Sequence, residues 1–327
     1  MSAPSQPSLL NSSSLLATHT HSDYPLHPMH PTTAHSPRFQ RLRSLALLVA
    51  LSATALAEPL VPPAQPVTKK IDLLETIRGG DVEYHVNPAS DVHDDPHDIW
   101  KFDGRQLHIS GRGYGYVATK KNYRDYHLVI EYKWGGKAWG KREDKARDNG
   151  ILVHAYGPHG AYGGTWMASI EAQIIEGGVG DILVLSPKLA DGTQLTTSLT
   201  SEFALDRDKE KVWTKGSPRQ VVTGGRINWA HRDVDWADKI GFRGREDVES
   251  PMGEWTRLEV IAKGDTLQYF VNGVLVNEGF EAKPSAGHVL LQTEGAEMVV
   301  RRYELWPLGE FKETWPAKSA TRAASPN

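Results

Sequence analysis

The segment of residues 169–178 combines side chains suited to acid–base chemistry with the pattern of a β-strand. It reads Ser-Ile-Glu-Ala-Gln-Ile-Ile-Glu-Gly-Gly, so Glu171 and Gln173 alternate with apolar neighbours. This period of two predicts a strand with one buried face and one functional face. Ile175 breaks the alternation, and a β-bulge there would return Glu176 to the face of Glu171. Two carboxylates and an amide on one face suit catalysis on a sugar.

The alternative interpretation of this strand is a solvated outer face with no catalytic role. Three polar groups on one strand, next to Trp166 and a glycine-rich exit, favour a site. Glu131 and Lys133 share one face of another predicted strand. Gln292 and Glu294 share one face of a strand near the C-terminus. Each pair is a candidate for substrate binding or for a structural cross-strand contact.

Composition and the N-terminal region indicate an exported protein with a sizeable apolar core. The chain has 327 residues, 39% of them hydrophobic, with a net charge of −3 and no cysteine. This charge gives no reason to expect nucleic acid or an anionic membrane as a partner. A basic stretch precedes an apolar run at residues 45–57, which is too short to span a membrane. We expect a signal peptide cleaved after Ala57 and a periplasmic or extracellular mature protein.

The mature chain is predicted to form one all-β domain. The predicted parts are a disordered N-terminal extension with the signal peptide (1–57), a proline-rich linker (58–68), one domain (69–309) with a loop insert (186–251), and a flexible tail (310–327). Met29 is a candidate translation start. Short β-type runs separated by turns such as Asn272-Gly273, without an amphipathic helix, predict an antiparallel two-sheet sandwich.

The insert and the glycine-rich exit contain further candidate ligand contacts. Trp229 lies among arginines and is a candidate for stacking on a sugar, or simply packs the insert onto the domain. We expect no required cofactor. Glu176 and Asp181 flank a glycine-rich turn and are candidate ligands of a divalent cation such as Ca²⁺. The segment 93–98 is rich in His and Asp but lacks the spacing of a preformed metal site.

A succession of segments carries a family resemblance. These segments are residues 113–119, 127–134, 148–154, 169–176, 253–260, 271–273 and 291–297, together with Arg301 and Arg302. In this order they resemble the 3-keto-disaccharide hydrolases, a family with a concanavalin A-like jelly roll. The resemblance covers about residues 70–308 and implies a jelly-roll fold and an enzyme acting on glycosides oxidised at C3.

The implied chemistry is elimination followed by hydration. A C3 ketone acidifies the C2 proton, so a base removes it, the enolate expels the C1 substituent, and water adds to give net hydrolysis. Glu171 or His154 is then the candidate base, and Glu176 the candidate acid. The enolate oxygen needs a donor or a divalent ion. The candidate donors are Gln173, Lys133 and Arg301.

Two other functions compete with this one. The strand also resembles the Glu-x-Asp-x-x-Glu strand of laminarinase-type retaining glycoside hydrolases, in which the first Glu is the nucleophile and the last is the acid/base. Gln173 replaces the central Asp and cannot carry its charge, so we expect no covalent intermediate. A non-catalytic, lectin-like sugar-binding module is the third possibility. A saccharide is the expected partner in each case, and the oligomeric state stays open.

Overall fold

The computed structural model of the protein describes residue 61 and residues 63–316. The predicted N-terminal extension and signal peptide, the first residues of the linker, and residues 317–327 of the tail lie outside the described residues. Within the described part of the chain, no helix is long and apolar enough to cross a membrane.

Nearly all regular structure in the described residues is β-strand. The short helical segments are α1 (Leu73–Arg78), α2 (Pro96–Ile99) and a 3₁₀ turn at Gly140–Arg142. The strands are β1 (Gln65–Pro66), β2 (Ile71–Asp72), β3 (Val82–Val86), β4 (Trp100–Asp103), β5 (Gln106–Ile109), β6 (Tyr114–Thr119), β7 (Tyr123–Arg124), β8 (Tyr126–Ala138), β9 (Asp148–Tyr156), β10 (Ala168–Ile175), β11 (Ile182–Leu185), β12 (Ser198–Leu205), β13 (Lys211–Trp213), β14 (Arg219–Val222), β15 (Gly225–Ile227), β16 (Thr256–Lys263), β17 (Thr266–Val271), β18 (Val274–Lys283), β19 (His288–Glu294) and β20 (Ala296–Trp306).

Two large antiparallel sheets form a jelly-roll sandwich. The seven-stranded sheet has the order β15-β11-β10-β9-β19-β6-β3. The eleven-stranded sheet has the path β13-β12-β18-β17-β16-β8-β20-β5-β4, with β14 beside β12 and β2 beside β20. The prediction of an all-β, two-sheet antiparallel sandwich is confirmed.

The apolar core determines which face of each strand is free for function. Ile170, Ala172 and Ile174 of β10 are fully buried in a core cluster that also contains Ile130 and Tyr132 of β8. Because successive side chains of a strand alternate between faces, the polar residues of β10 lie on the outer face of the seven-stranded sheet. The strand alternation read from the sequence is therefore confirmed.

The predicted β-bulge near Ile175 is wrong. β9 and β10 stay in continuous register up to Ile175, where β10 ends. The register shift of this pair lies at the start of β10, between Ala168 and Ile170. Glu176 belongs to the turn after the strand, so no bulge returns it to the face of Glu171.

The segment predicted as a loop insert contributes strands to both sheets. β12 pairs with β14 and β18 in the eleven-stranded sheet, and β15 pairs with β11 in the seven-stranded sheet. Leu199 and Phe203 of β12 enter the main core. Charged and turn-forming neighbours hide this short alternation in the sequence, so the prediction of an irregular insert over residues 186–251 is wrong.

The ordered domain also extends beyond its predicted ends. In the predicted linker, β1 pairs in parallel with β7, and the next residue, Val67, is buried. In the predicted tail, Phe311 is buried, and Glu313 lies 2.6 Å from Arg302 in an ion pair. These anchors dock both segments because each one buries an apolar side chain against the sheets.

Candidate functional site

A cavity on the outer face of the seven-stranded sheet collects ionisable side chains. Its volume is about 270 Å³, and it is lined on one side by Tyr162 and Trp166. Its charged and amide-bearing lining residues are Arg142, Asp148, Glu171, Gln173, Arg226 and Glu294. These residues come from β9, β10, β15, β19 and the loop before β9, so the sheet register fixes their relative positions.

Glu171 lies at the centre of this face between apolar neighbours. It is directly opposite Leu152 of β9 and Leu183 of β11, and its side chain is almost completely buried. Burial raises the pKa of Glu171 to about 8, and the negative charge of Asp148 adds to this rise. Glu171 therefore carries its proton in most molecules at neutral pH.

The absence of a side chain at Gly150 makes room for this arrangement. A Cβ atom on Gly150 would lie 2.5 Å from Glu171 Oε1 and 2.3 Å from Gln292 Oε1. The side chains from β10 and β19 thus converge above the glycine of the strand between them. Gly150 acts here through space alone, because its backbone is not in the left-handed region.

Asp148 and Glu294 surround Arg142 at one end of the cavity. Asp148 accepts a hydrogen bond from Gln173 Nε2 at 3.0 Å and a short one from Arg142, which lies 3.9 Å from Glu294. Burial raises the pKa of Asp148 to about 6 in spite of the arginine. Burial and the charges of Asp148 and Glu171 raise the pKa of Glu294 well above its usual value. The three carboxyls cannot all ionise at neutral pH.

Arg226 supplies positive charge at the opposite side of the cavity. It stands opposite Leu183 in the β11–β15 pair and donates to Asp181 at 3.0 Å. Burial lowers the pKa of Arg226, but the negative charges of Asp181, Asp148 and Glu171 outweigh this effect, so its pKa lies above its usual value. The cavity therefore holds two arginines beside three carboxyl groups, and the carboxyl groups raise one another's pKa values.

Aromatic and imidazole rings lie next to the carboxyl groups on the same outer face of the seven-stranded sheet. Tyr116 of β6 is directly opposite Gln292, and its hydroxyl lies 2.8 Å from His159 Nδ1. The Tyr116 ring centroid is 6.3 Å from that of Trp166, and the His159 ring stacks on His85 at 5.7 Å. Such rings pack well against sugar faces. The structure thus brings the predicted residues Trp166, Gln292 and Glu294 together with Glu171.

His154 points away from this face. A register shift at β9 and a φ of 52° send its ring into the space between the sheets, 6.2 Å from the ring of Tyr126. Its Nδ1 lies 3.1 Å from the carbonyl oxygen of Pro284, and burial lowers its pKa to about 4. The expectation that His154 serves as the catalytic base does not fit this position.

Glu176 is a structural carboxylate in the turn after β10. It accepts hydrogen bonds from the backbone N–H groups of Arg147 at 2.9 Å and Gly241 at 2.8 Å, and from Arg147 Nη1 at 2.6 Å. These donors saturate the carboxylate and hold two loops together. The expected role of Glu176 as the catalytic acid is therefore corrected.

Asp181 and Trp229 also have structural contacts. Asp181 accepts a hydrogen bond from Trp229 N at 2.7 Å and pairs with Arg226 and Arg232. Arginines thus occupy both carboxylates that are predicted to bind a cation, and the described residues contain no group of three or more His, Cys, Asp or Glu side chains arranged so that they could hold a metal ion. Trp229 is 1% exposed and donates a hydrogen bond to Gly177 O at 3.1 Å. It therefore packs the insert onto the domain and is not accessible for stacking on a sugar.

The remaining predicted residues lie on the other sheet. Glu131 and Lys133 belong to β8, and Arg301 belongs to β20. Glu131 pairs with Arg257 at 2.7 Å and with Arg301 at 2.6 Å. These side chains lie on the outer face of the eleven-stranded sheet, so they cannot share a ligand with Glu171. Their predicted part in the same site is corrected.

Sequence reasoning did not single out Asp148, Arg142 or Arg226. Asp148 begins one of the segments that carry the family resemblance and is two residues before Gly150, so its place on the functional face follows from the strand period. Arg142 and Arg226 come from a loop and from a three-residue strand, where no periodic pattern exists to place them.

The chain matches one protein family in sequence and is similar to several solved structures. A sequence model for the 3-keto-alpha-glucoside-1,2-lyase-like domain matches residues 85–305. A search of curated proteins returns no match to the chain. Similar solved structures include a candidate glycosyl hydrolase from Parabacteroides distasonis ATCC 8503, with 14% identity, 72% of this chain and 98% of that chain covered, and a TM-score of 0.39. LamAcat from Zobellia galactanivorans shares 11% identity, with 69% and 90% covered and a TM-score of 0.36.

We predict that Gly150→Ala lowers activity while the fold is retained. The new Cβ would displace the ends of the Glu171 and Gln292 side chains, which are flexible enough to move without unfolding the sheet. A displacement of about 1 Å at reacting groups costs on the order of 10²-fold in rate. The measurements are kcat/KM and the melting temperature. Gly136→Ala in β8 is the matched control, because its Cβ would meet no atom within 4 Å. Equal activity of both variants would contradict the prediction.

Proposed function

This chain belongs to the 3-keto-α-glucoside-1,2-lyase-like family, and on that premise we propose that it cleaves glycosidic bonds of 3-keto glycosides by elimination. The observation that carries the proposal is the cluster of Glu171, Asp148 and Glu294 on one sheet face, in which Glu171 and Asp148 are buried and Glu294 is partly exposed. Carboxyls with raised pKa values in a cleft are typical of proton-transfer sites. The predicted signal peptide would place this activity in the periplasm or outside the cell.

Glu171 is the proposed base. It removes the C2 proton, and the electron pair of that bond becomes the enolate of the C3 ketone. A carboxylate with a pKa of about 8 is a stronger base than an ordinary glutamate, which suits it to a carbon acid. Glu171 forms no ion pair among the described residues, and the amide of Gln292 is its hydrogen-bonding neighbour.

Glu294 is the proposed acid. When the enolate collapses to a C1–C2 double bond, the C1–O bond breaks, and the leaving oxygen takes a proton from Glu294. Its raised pKa keeps that proton in place at neutral pH. Asp148, held by Arg142 and Gln173, positions this group and disfavours a second negative charge beside it. Water adding to the double bond then gives net hydrolysis.

Arg226 and the amide of Gln292 are the proposed contacts of the enolate oxygen. Both lie next to Glu171, and a preorganised cation in a desolvated cavity stabilises a developing oxyanion strongly. Gln173 is less suited to this task, because its amide N–H already donates to Asp148. In this scheme the chain's own donors stabilise the enolate, and no cofactor is required.

The alternative functions are less consistent with the site. A retaining hydrolase of the laminarinase type uses a charged Asp beside its nucleophile, whereas Gln173 occupies that place and cannot carry a charge. A lectin needs aromatic and amide contacts but gains nothing from the burial of Glu171 and Asp148, which costs stability. Direct hydrolysis and simple binding therefore stay the competing hypotheses.

The decisive substrate test uses matched glycosides that differ only in oxidation at C3. Purified protein is incubated with each glycoside, and release of the aglycone is measured over time. We expect release from the 3-keto form alone. Release from the unoxidised glycoside at a similar rate would support direct hydrolysis, and binding of both without release would support the lectin-like function.

We predict that Glu171→Gln lowers kcat/KM by roughly 10²–10⁴-fold, the usual contribution of a general base. In the wild type, kcat/KM should rise with pH and level off above about 8, because Glu171 must lose its proton to act.

The raised pKa also means that ionisation of Glu171 reduces the stability of the folded state between about pH 4.5 and 8. The variant should therefore be at least as stable as the wild type at pH 9.

Glu249→Gln is the matched control for this variant. Glu249 is equally buried, and its pKa is also raised to about 8, mainly by burial. It accepts hydrogen bonds from Tyr132 and Trp134 and does not line the cavity of Glu171. The kcat/KM of the Glu249→Gln variant should stay within a few-fold of the wild-type value. A Glu171→Gln variant that is as active as this control would refute the assignment of the base.

A further inference from the structure

The outer face of the eleven-stranded sheet carries two consecutive arginines. In a regular strand, neighbouring residues point to opposite faces. A register shift in the β8–β20 pair between Val300 and Arg302 breaks this rule. As a result, both Arg301, at 2.6 Å, and Arg302, at 3.2 Å, donate to Glu131 on the same face. Such bulges commonly redirect side chains at functional sites.

These arginines line a cavity that also contains two tryptophans. The cavity has a volume of about 610 Å³. Its cationic and aromatic lining residues are Trp255, Arg257, Arg301, Arg302 and Trp315. Glu131 and Glu313 are its acidic lining residues, so three arginines face two glutamates and the lining is net positive. Lys133, with its Nζ 5.0 Å from the Trp255 ring centroid, adds to this charge.

A buried ion pair forms the floor of the cavity, whereas a partly exposed arginine lies at its edge. Glu131 and Arg257 are both buried and joined by two hydrogen bonds of 2.7 and 3.0 Å. Arg301 is different, since its side chain is 38% exposed and stacks 4.5 Å from the Trp255 ring centroid. Arg301 forms its hydrogen bond through Nε, and no hydrogen-bond partner of its Nη groups lies among the described residues.

We propose that this cavity is a second saccharide-binding site that is selective for carboxylate-bearing sugars, such as uronic acid units of an acidic glycan. The two Nη groups of Arg301 match the geometry of a carboxylate, and Trp255 provides an apolar surface for the sugar ring. The buried pair of Glu131 and Arg257 fixes these groups in advance, which reduces the entropy lost on binding. The site lies on the sheet opposite to Glu171 and does not depend on the function proposed for that residue.

Isothermal titration calorimetry with the full chain tests this proposal. The probes are a tetrasaccharide of galacturonic acid, a neutral gluco-tetrasaccharide and citrate as a small carboxylate. We expect the acidic tetrasaccharide to bind more tightly than the other two and to bind more weakly as salt is added. Arg301→Gln and Trp255→Ala should each weaken this binding by at least about tenfold.

Arg219→Gln is the matched control. Arg219 lies on the same sheet, donates through Nε to Glu202 at 3.2 Å, and stacks 3.8 Å from the Phe280 ring centroid, but it does not line the cavity. Its substitution should leave binding unchanged. The Arg301 variant should fold, because Glu131 keeps Arg257 and Arg302 as partners; the melting temperature checks this, and Trp255→Ala provides an independent variant.

Several outcomes would overturn the proposal. They are no binding of the acidic tetrasaccharide to the wild type, equal binding of the neutral one, and acidic binding that survives both substitutions. Citrate that binds as tightly as the acidic tetrasaccharide and is insensitive to Trp255→Ala would show an anion site without saccharide selectivity.

Discussion

Desolvation of carboxyl groups on one face of the seven-stranded sheet is the constraint on which the site depends. Glu171 is buried on this face and forms no ion pair among the described residues, so its carboxyl group keeps its proton at neutral pH. Apolar burial on the core side of the same strand offsets the free-energy cost of this desolvation. Ile170, Ala172 and Ile174 anchor β10 in the core between the sheets. Gly150 then provides the space in which the reacting side chain lies.

Direct arginine partners distinguish the carboxylates of Glu131, Glu176 and Asp181 from that of Glu171. Glu131, Glu176 and Asp181 are buried, and each is paired directly with one or more guanidinium groups. Such pairs fix loops and strands, and removing one partner leaves a costly buried charge. Glu171 is equally buried but has no such pair. Proximity in sequence is therefore a poor guide to environment, since Glu171 and Glu176 share one segment but only Glu176 is held by an arginine, Arg147.

The sequence predicts the sandwich and the central strand but only part of the site. Period-two alternation places Glu171, Gln173 and Gln292 correctly, because it reports which face a residue occupies. It does not report which of two sheets a strand joins, so Glu131 and Arg301 were grouped with the wrong face. His154 was misplaced because a bulge reverses the alternation locally. Arg226 could not be found, because its strand has three residues and no readable period.

The most direct test of the central claim is a deuterium isotope effect at C2 of a 3-keto glycoside. The rate of C1–O bond cleavage is measured with protiated and C2-deuterated substrate, in single turnovers so that product release does not hide the chemical step. Removal of the C2 proton by Glu171 predicts a primary isotope effect on cleavage. Equal cleavage rates for the two substrates, together with a glycosyl adduct on Glu171 from a 2-fluoro glycoside, would contradict elimination and identify a retaining hydrolase.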